Sequence, residues 1–482
     1  MQLALYAAIL ADLALLAEAV PFPEPRALPL VQSNQLRRLL LRSELLQKGQ
    51  TLQDFAYATE GRSRYIGSPG HNSTVNYLID TLAATGYYDI EVQPFTVPSA
   101  SADLSISGVT YKASPMTFTA AGTPSGPLVP VANIGCYAAD YPADVAGKFA
   151  LISRGTCPFA TKATLSKAAG AIGTVIYNNV EGALQGTLGG EGDYAPTVGI
   201  SQADGQALLA LVVSGTATAD LIVELSETLT YNVIAQTKGG DKENVLAVGA
   251  HTDSVEAGPG INDNGSGSIG VLEVALQLSK FSTNNAIRFG WWSGEEEGLL
   301  GAEHYVTTLP QEERDKIRLY INFDMIASPN FVYEIYDGDG SAFGTSGPPG
   351  SAEVEKLWED YYKNEVGIPT KSTEFDGRSD YGPFLDFGIA AGGLTSGADG
   401  VKTEAEAALY GGTAGQIYDP NYHTDRDILA NTNVGVWVQM AKGIAHAIAT
   451  YGRSFETLPV KTKRSEEREA HVYQRKGGKW VY

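Results

Sequence analysis

The chain has 482 residues, 43% of them hydrophobic and 9% aromatic, enough for a large buried core and more than one domain, which excludes the disordered class. Its formal charge of −21 at pH 7 opposes binding to phosphate backbones and anionic lipid surfaces, because both recruit clustered Lys and Arg. Nucleic acid and membrane surfaces are therefore not expected partners.

Residues 3–19 form an apolar stretch ending in Ala17-Glu18-Ala19, the small-x-small pattern of a cleavage site, and read as a signal peptide over 1–19. Asp12 inside the stretch, and the lack of a preceding Lys or Arg, leave a buried N-terminal helix as the other reading. No other segment approaches a membrane span, so the expected destination is secreted and extracellular. Pro21-Phe22-Pro23-Glu24-Pro25 cannot be helical and marks residues 20–35 as propeptide or linker, with folded sequence starting near Ser33.

Val75, Leu78, Ile79 and Leu82 recur at helical spacing, predicting a helix over 72–85 that starts at Asn72-Ser73 and ends at Gly86. Residues 89–92 read as extended. Between about 122 and 227 short β-like runs (149–153, 173–177) alternate with Gly, Pro and Ala clusters around one Ala-rich helix at 162–169, which predicts an inserted module. The main domain is then split into residues 36–121 and 228–456. In its second part the runs 245–249, 286–292 and 319–323 each precede a helix-length segment, the pattern of a largely parallel sheet covered by helices on both faces. The tail, residues 457–482, turns to mixed Lys, Arg and Glu and reads as a disordered or removable extension.

Cys136 and Cys157 are the only cysteines, close in sequence and even in number; they read as one short-loop disulfide, two unpaired thiols being the alternative. Asn72-Ser73-Thr74 is an N-glycosylation acceptor for a secreted chain, whereas Asn264-Gly265-Ser266 falls where a buried site is expected.

Parallel sheets gather ligands where their strands end. His251, the pair Glu295 and Glu296, and Asp324 each follow one of the three apolar runs, and Asp263 lies in the Gly-rich stretch that begins at Gly258. An imidazole and several carboxylates converging there would repel one another without a cation, and suit Zn²⁺ or a similar divalent ion. His71, His304, His446 and His471 have no acidic neighbours at strand ends and are assigned structural roles.

His251-Thr252-Asp253, Asn262-Asp263-Asn264-Gly265, the run from Trp292 through Glu295-Glu296-Glu297 to Gly298, Asn322-Phe323-Asp324-Met325 and Tyr422-His423 together resemble the ordered motif set of the aminopeptidase Y family, and within it the secreted fungal leucine aminopeptidases. The match runs from about residue 40 to 455. Cys136 with residues 141–148 and 153–159 resembles the protease-associated domain that these enzymes carry as an insertion. The resemblance implies a three-layer α/β zinc-peptidase fold with a mixed, largely parallel sheet and a β-rich insertion. It also implies two Zn²⁺ per chain bridged by Asp263, one held also by His251 and Asp324, the other by Glu296 and His423. Glu295 would be the general base and Tyr422 the oxyanion donor, with Asp253 and Asp427 orienting His251 and His423. Gly377-Arg378-Ser379-Asp380-Tyr381 resembles a loop at the substrate's amino end, but the family more often has His where Tyr381 stands, so that residue carries no role. The implied substrate is a peptide with a free N-terminus and an apolar first residue such as leucine, and the implied state a monomer.

Three other readings share this scaffold: a metal-free receptor ectodomain, a carboxypeptidase related to folate hydrolases, and a single-zinc glutaminyl cyclase. A complete ligand set with Glu295 argues against the first, and the short stretch after Tyr451 against the helical domain of the second. Metal stoichiometry and product identity separate the third.

Overall fold

The computed structural model describes residues 27–215 and 217–460. The signal-like stretch, the Pro-rich residues 21–25, His471 and the tail from 461 onward lie outside them.

Among the described residues fourteen strands form one sheet, twelve of them in a continuous path, with β1 and β2 branching from it at β8. In chain order they are β1 (Tyr88–Ile106), β2 (Val109–Tyr111), β3 (Ala113–Pro115), β4 (Ser125–Pro130), β5 (Phe149–Ser153), β6 (Gly173–Tyr177), β7 (Thr197–Ile200), β8 (Thr218–Thr237), β9 (Asp241–His251), β10 (Asn285–Trp292), β11 (Ile317–Phe323), β12 (Glu334–Tyr336), β13 (Lys371–Thr373) and β14 (Ala391–Thr395). The main domain orders its strands β13-β12-β14-β11-β9-β10-β8. Its centre, β14-β11-β9-β10, is parallel, while β8 and β12 pair antiparallel with their inner neighbours.

Alternation along the central strands explains the layers. Leu246, Val248 and Ala250 of β9, with Phe289 and Trp291 of β10, face a core shared with helices Arg42–Tyr57, Pro69–Ala83, Gly267–Leu278 and Val434–Arg453. Ala247, Trp292 and Tyr320 point the other way, against Tyr305 of helix Leu300–Thr308 and Phe384 of helix Tyr381–Asp386. Strands buried on both faces read as unbroken apolar runs, which is why they were visible in the sequence.

Every residue of the 19-residue β1 is paired with β8, from Tyr88 opposite Thr237 to Ile106 opposite Ala219. This ribbon leaves the main sheet and carries the chain into the insertion, where the outer end of β8 pairs with β4 and the parallel set β4-β5-β6-β7 follows. The module's core joins Leu104 and Ile106 to Phe149, Leu151, Val175, Val198 and Leu208, so its packing begins upstream of residue 122. Cys136 and Cys157 are bonded within it, with S–S 2.03 Å.

The helix expected over 72–85 spans Pro69–Ala83. Its start lies earlier because Ser68 caps it, accepting from the His71 amide at 3.1 Å, and Pro69 supplies a first helical residue with no amide to satisfy. Asn72 is consequently an exposed residue of the first turn.

Candidate active site

His251 is the last residue of β9, Asp324 follows β11, and Glu295 and Glu296 follow β10. Asp263 comes from the turn Ile261–Ser266 that enters helix Gly267–Leu278, and His423 from a distant turn near the last helix. His423 is held at φ 56°, a left-handed conformation that costs a non-Gly residue of order 1–3 kcal/mol and is kept where the surroundings over-determine it. That turn brings its Nε2 to 3.0 Å from Asp263 Oδ2 and 3.1 Å from Glu296 Oε2. On the other side of Asp263, Oδ1 lies 3.3 Å from His251 Nε2, which is also 3.4 Å from Asp324 Oδ1 and 3.8 Å from Glu295 Oε2. The six residues thus form two groups, each with ligand atoms within 4.8 Å of one another: His251, Glu295 and Asp324, and Asp263, Glu296 and His423.

Their donor chemistry fits a cation. His251 Nε2, Glu296 Oε1 and Asp324 Oδ1 are buried without hydrogen-bond partners, a state that protein interiors rarely tolerate unless another ligand completes it. Electrostatics point the same way. Burial lowers both imidazoles, but Asp324 and Glu295 outweigh it at His251, and Glu296 and Asp263 push His423 up to about 10. Burial raises the Glu295 carboxyl well above the usual range, against the pull of His251 and helped by Asp324 and Glu296. Carboxylates outnumber the protein's own cationic groups here, with Arg64 behind the site as the fixed cation that Asp253, Asp427, Asp263 and Glu296 act on.

Asp253 and Asp427 sit beside the site, and each also holds a backbone turn. Asp253 Oδ1 is 3.7 Å from His251 Nδ1, beyond hydrogen-bond length. Its carboxylate instead accepts the backbone amides of Gly294, Glu295 and Glu296 at 2.9, 3.3 and 3.2 Å, so it shapes the turn that presents both glutamates. Asp427 accepts the amides of Asn262 and Asp263 at 2.7 and 2.9 Å, and so holds the Asp263 turn. In both cases a carboxylate captures backbone donors that a tight turn leaves unpaired.

Tyr422 packs tilted against His423 with ring centroids 3.8 Å apart, and burial followed by Asp263 keeps its phenol far above the ordinary range, hence protonated. Tyr381 is fully buried; it donates to Asp376 at 2.8 Å and accepts the Gly377 amide at 3.0 Å, fixing the loop beside the cavity. His71 is buried against Thr252 and Ser293, and His446 against Ser33.

Sequence reading missed several residues. Arg64 is fully buried and donates to the carbonyls of Thr252, Pro259 and Gly260, stitching the ends of β9 and the Asp263 turn together. Ser379 donates to Asp324 Oδ2 at 2.7 Å and accepts from Asn322 at 2.8 Å. Asp380, fully buried with both oxygens unpartnered, stands behind them. Ser379 and Asp380 lie in a loop whose motif was visible, whereas a lone Arg in a turn gives no signal at all.

Beside Glu295 and Asp324 opens a cavity of about 230 Å³. Met325, Tyr336, Tyr418 and Tyr422 give it apolar surface, and Glu334, Asp376 and Asp399 add negative charge.

The sequence pattern of peptidase family M28 matches residues 232–448, and that of the PA domain residues 124–208. Leucine aminopeptidase 2 of Arthroderma otae is 48% identical over 441 residues, 90% of this chain and 89% of its own. The chain belongs to peptidase family M28. A probable leucine aminopeptidase 2 of Aspergillus fumigatus is 50% identical, covering 92% of this M28 peptidase and 90% of its own length. Among solved structures, a zinc aminopeptidase from Bacillus subtilis superposes with TM-score 0.73 at 26% identity, over 89% of this chain and 99% of that one. An aminopeptidase from Aneurinibacillus sp. strain AM-1 does so with TM-score 0.66 at 27% identity, over 90% and 99%. This M28 peptidase is a zinc-dependent aminopeptidase with an inserted PA domain. No helix among its described residues is long and apolar enough to cross a membrane.

Proposed function

We propose that the enzyme is a secreted two-zinc aminopeptidase that removes apolar N-terminal residues such as leucine. The observation that carries the two-metal reading is the Asp263 carboxylate, whose oxygens face different histidines, His251 at 3.3 Å and His423 at 3.0 Å. His251 and Asp324 would complete one zinc site, Glu296 and His423 the other. Bound zinc supplies Lewis-acid polarisation of the scissile carbonyl and acidifies water.

Glu295 is the general base. It takes a proton from the attacking water as the C–O bond forms, and returns it to the leaving nitrogen as the C–N bond breaks, so the carboxylate is regenerated. Tyr422, kept protonated, donates to the carbonyl oxygen while that oxygen carries negative charge. The substrate's N-terminal ammonium finds carboxylates and no opposing arginine fork, since Arg378 is paired with Asp399 at 3.2 Å. Met325 and Tyr336 offer apolar surface to the first side chain. The relatives from Arthroderma otae and Trichophyton rubrum are leucine aminopeptidases, which supports the same first residue. Export through the 1–19 stretch and glycan attachment at Asn72 belong to this reading.

The test is zinc content and activity measured together. Removal of metal by a strong chelator should abolish hydrolysis of a leucyl peptide, and activity should return as zinc is restored to about two ions per chain. The same peptide with an acetylated N-terminus should be cut negligibly. Full activity without metal, or equal rates on free and acetylated peptides, would refute the proposal.

A further inference from the structure

A second acidic cluster lies outside the active site. Asp337 directly follows β12, Asp339 comes two residues later in the turn Asp337-Gly338-Asp339-Gly340-Ser341, and Glu355 is on helix Ser351–Asp360. Each offers a carboxylate oxygen to a group whose members lie within 4.8 Å of one another. The cluster is not a solvated surface patch: Asp337 is 1% exposed and Glu355 4%. Among the described residues no Lys, Arg or His forms an ion pair with any of the three.

One side chain in the cluster is left incomplete. Asp337 Oδ2 accepts the amides of Ala342 and Phe343 at 3.1 and 2.8 Å, whereas Oδ1 is buried with no partner. Glu355 Oε2 accepts the Asp339 amide at 2.9 Å, which joins helix and turn but supplies no countercharge. Burial first, then the charges of Asp339, Asp337 and Glu359, raise the Glu355 carboxyl to about 7 against that amide. Two near-buried carboxylates and a third beside them are destabilising as charges unless a proton or a cation neutralises them.

Backbone packing sets the turn close against the helix, with Asp339 on its exposed side. A Cβ at Gly338 would meet the Ser351 carbonyl at 2.2 Å, and Gly340 adopts φ 74°, so both glycines are needed to fold the turn against the start of the helix. Only oxygen atoms converge here. An all-oxygen, carboxylate-rich set with an Asp-x-Asp-x-Ser turn suits a hard, larger cation with flexible coordination, which is calcium rather than the zinc of the imidazole-containing site.

We propose that Asp337, Asp339 and Glu355 bind one calcium ion, which fastens the end of β12 to helix Ser351–Asp360. Because Glu334 and Tyr336 of β12 line the active-site cavity, the ion stiffens one cavity wall without touching the reaction.

The full-length enzyme is passed over a chelating resin, its zinc is restored, and calcium binding is measured by equilibrium dialysis. Wild type should retain one calcium per chain beyond its zinc, and its Tm should rise by a few degrees with saturating calcium. Glu355→Gln keeps the acceptor for the Asp339 amide while removing one charge. Without calcium it should be at least as stable as wild type; with calcium it should gain far less. Asp337→Asn, measured only for calcium retention and Tm shift, should behave likewise. No calcium retained by wild type at full zinc occupancy, or the same Tm gain in wild type and Glu355→Gln, would overturn the assignment.

Discussion

Glu295 and Glu296 are adjacent in sequence yet face different work, and the turn held by Asp253 is the reason. The three amides that Asp253 accepts orient the backbone so that Glu296 Oε2 meets His423 at 3.1 Å while Glu295 Oε2 points toward His251 at 3.8 Å. If Glu295 is the base and Glu296 a ligand, Glu295→Gln should lower kcat by roughly 10²- to 10⁴-fold with zinc content unchanged. Glu296→Gln should lose zinc. Steady-state kinetics beside metal analysis decides the matter, and the opposite pattern would exchange the two assignments. At this scale the sequence was legible wherever a side chain sat at a strand end, because the parallel sheet fixes what those positions share. It was silent about Arg64 and about the amides that Asp427 accepts, since these partners are backbone groups supplied by chain segments far away in sequence.

Elements were legible in proportion to how one-sidedly they are buried. β9, β10 and β11 announce themselves as apolar runs, while β1 shows itself only at residues 89–92: Pro94 and Pro98 interrupt it, and eight of its 19 residues are exposed. Helix Val434–Arg453 carries a buried histidine that makes a testable contribution of its own. His446 bonds to Ser33 Oγ at 2.7 Å and stacks on Tyr361 at 4.4 Å, so it ties helix Ser33–Arg38 to this one. Burial depresses its pKa to about 4, against the attraction of Glu365. The unfolded chain therefore binds this proton at a pH where the folded chain does not. Stability from the neutral ring is present above about pH 6.5 and is lost as pH falls toward 4. Between pH 7 and 5 the loss from this one group is on the order of 1–2 kcal/mol. His446→Gln should remove that part of the pH dependence, seen as a smaller difference between urea denaturation midpoints at the two pH values. An unchanged difference would mean that the ring is not the titrating group.

The whole molecule is a peptidase sheet with a second domain mounted on a ribbon. Because β1 and β8 pair residue for residue, the PA domain can be removed without disturbing the register: Val97 lies opposite Thr228, and an Asn-Gly turn replacing residues 98–227 would close the hairpin there. The pairing of β8 with β10, at Val233 and Gln236, lies well inside that cut. All five proposed zinc ligands and Glu295 lie outside the deleted segment, so the shortened chain should still bind about two zinc ions and hydrolyse a small leucyl reporter. Longer peptides should respond differently. Gln185 of the PA domain donates to Glu256 at 2.7 Å, a few residues beyond His251, and Arg154 is near enough to Asp399 of the cavity wall to feel its charge, though burial lowers the guanidinium overall. The module thus touches the loop after His251 and lies near the cavity wall at Asp399, which puts it in reach of a peptide longer than two residues. Comparing kcat/KM for dipeptides and for longer peptides in the full and shortened enzymes tests this. The dipeptide values should stay within about an order of magnitude, and the dependence on length should change. A shortened chain that folds by circular dichroism but binds no zinc would contradict the separation of the two domains, and an unaltered length dependence would remove the PA domain from substrate handling.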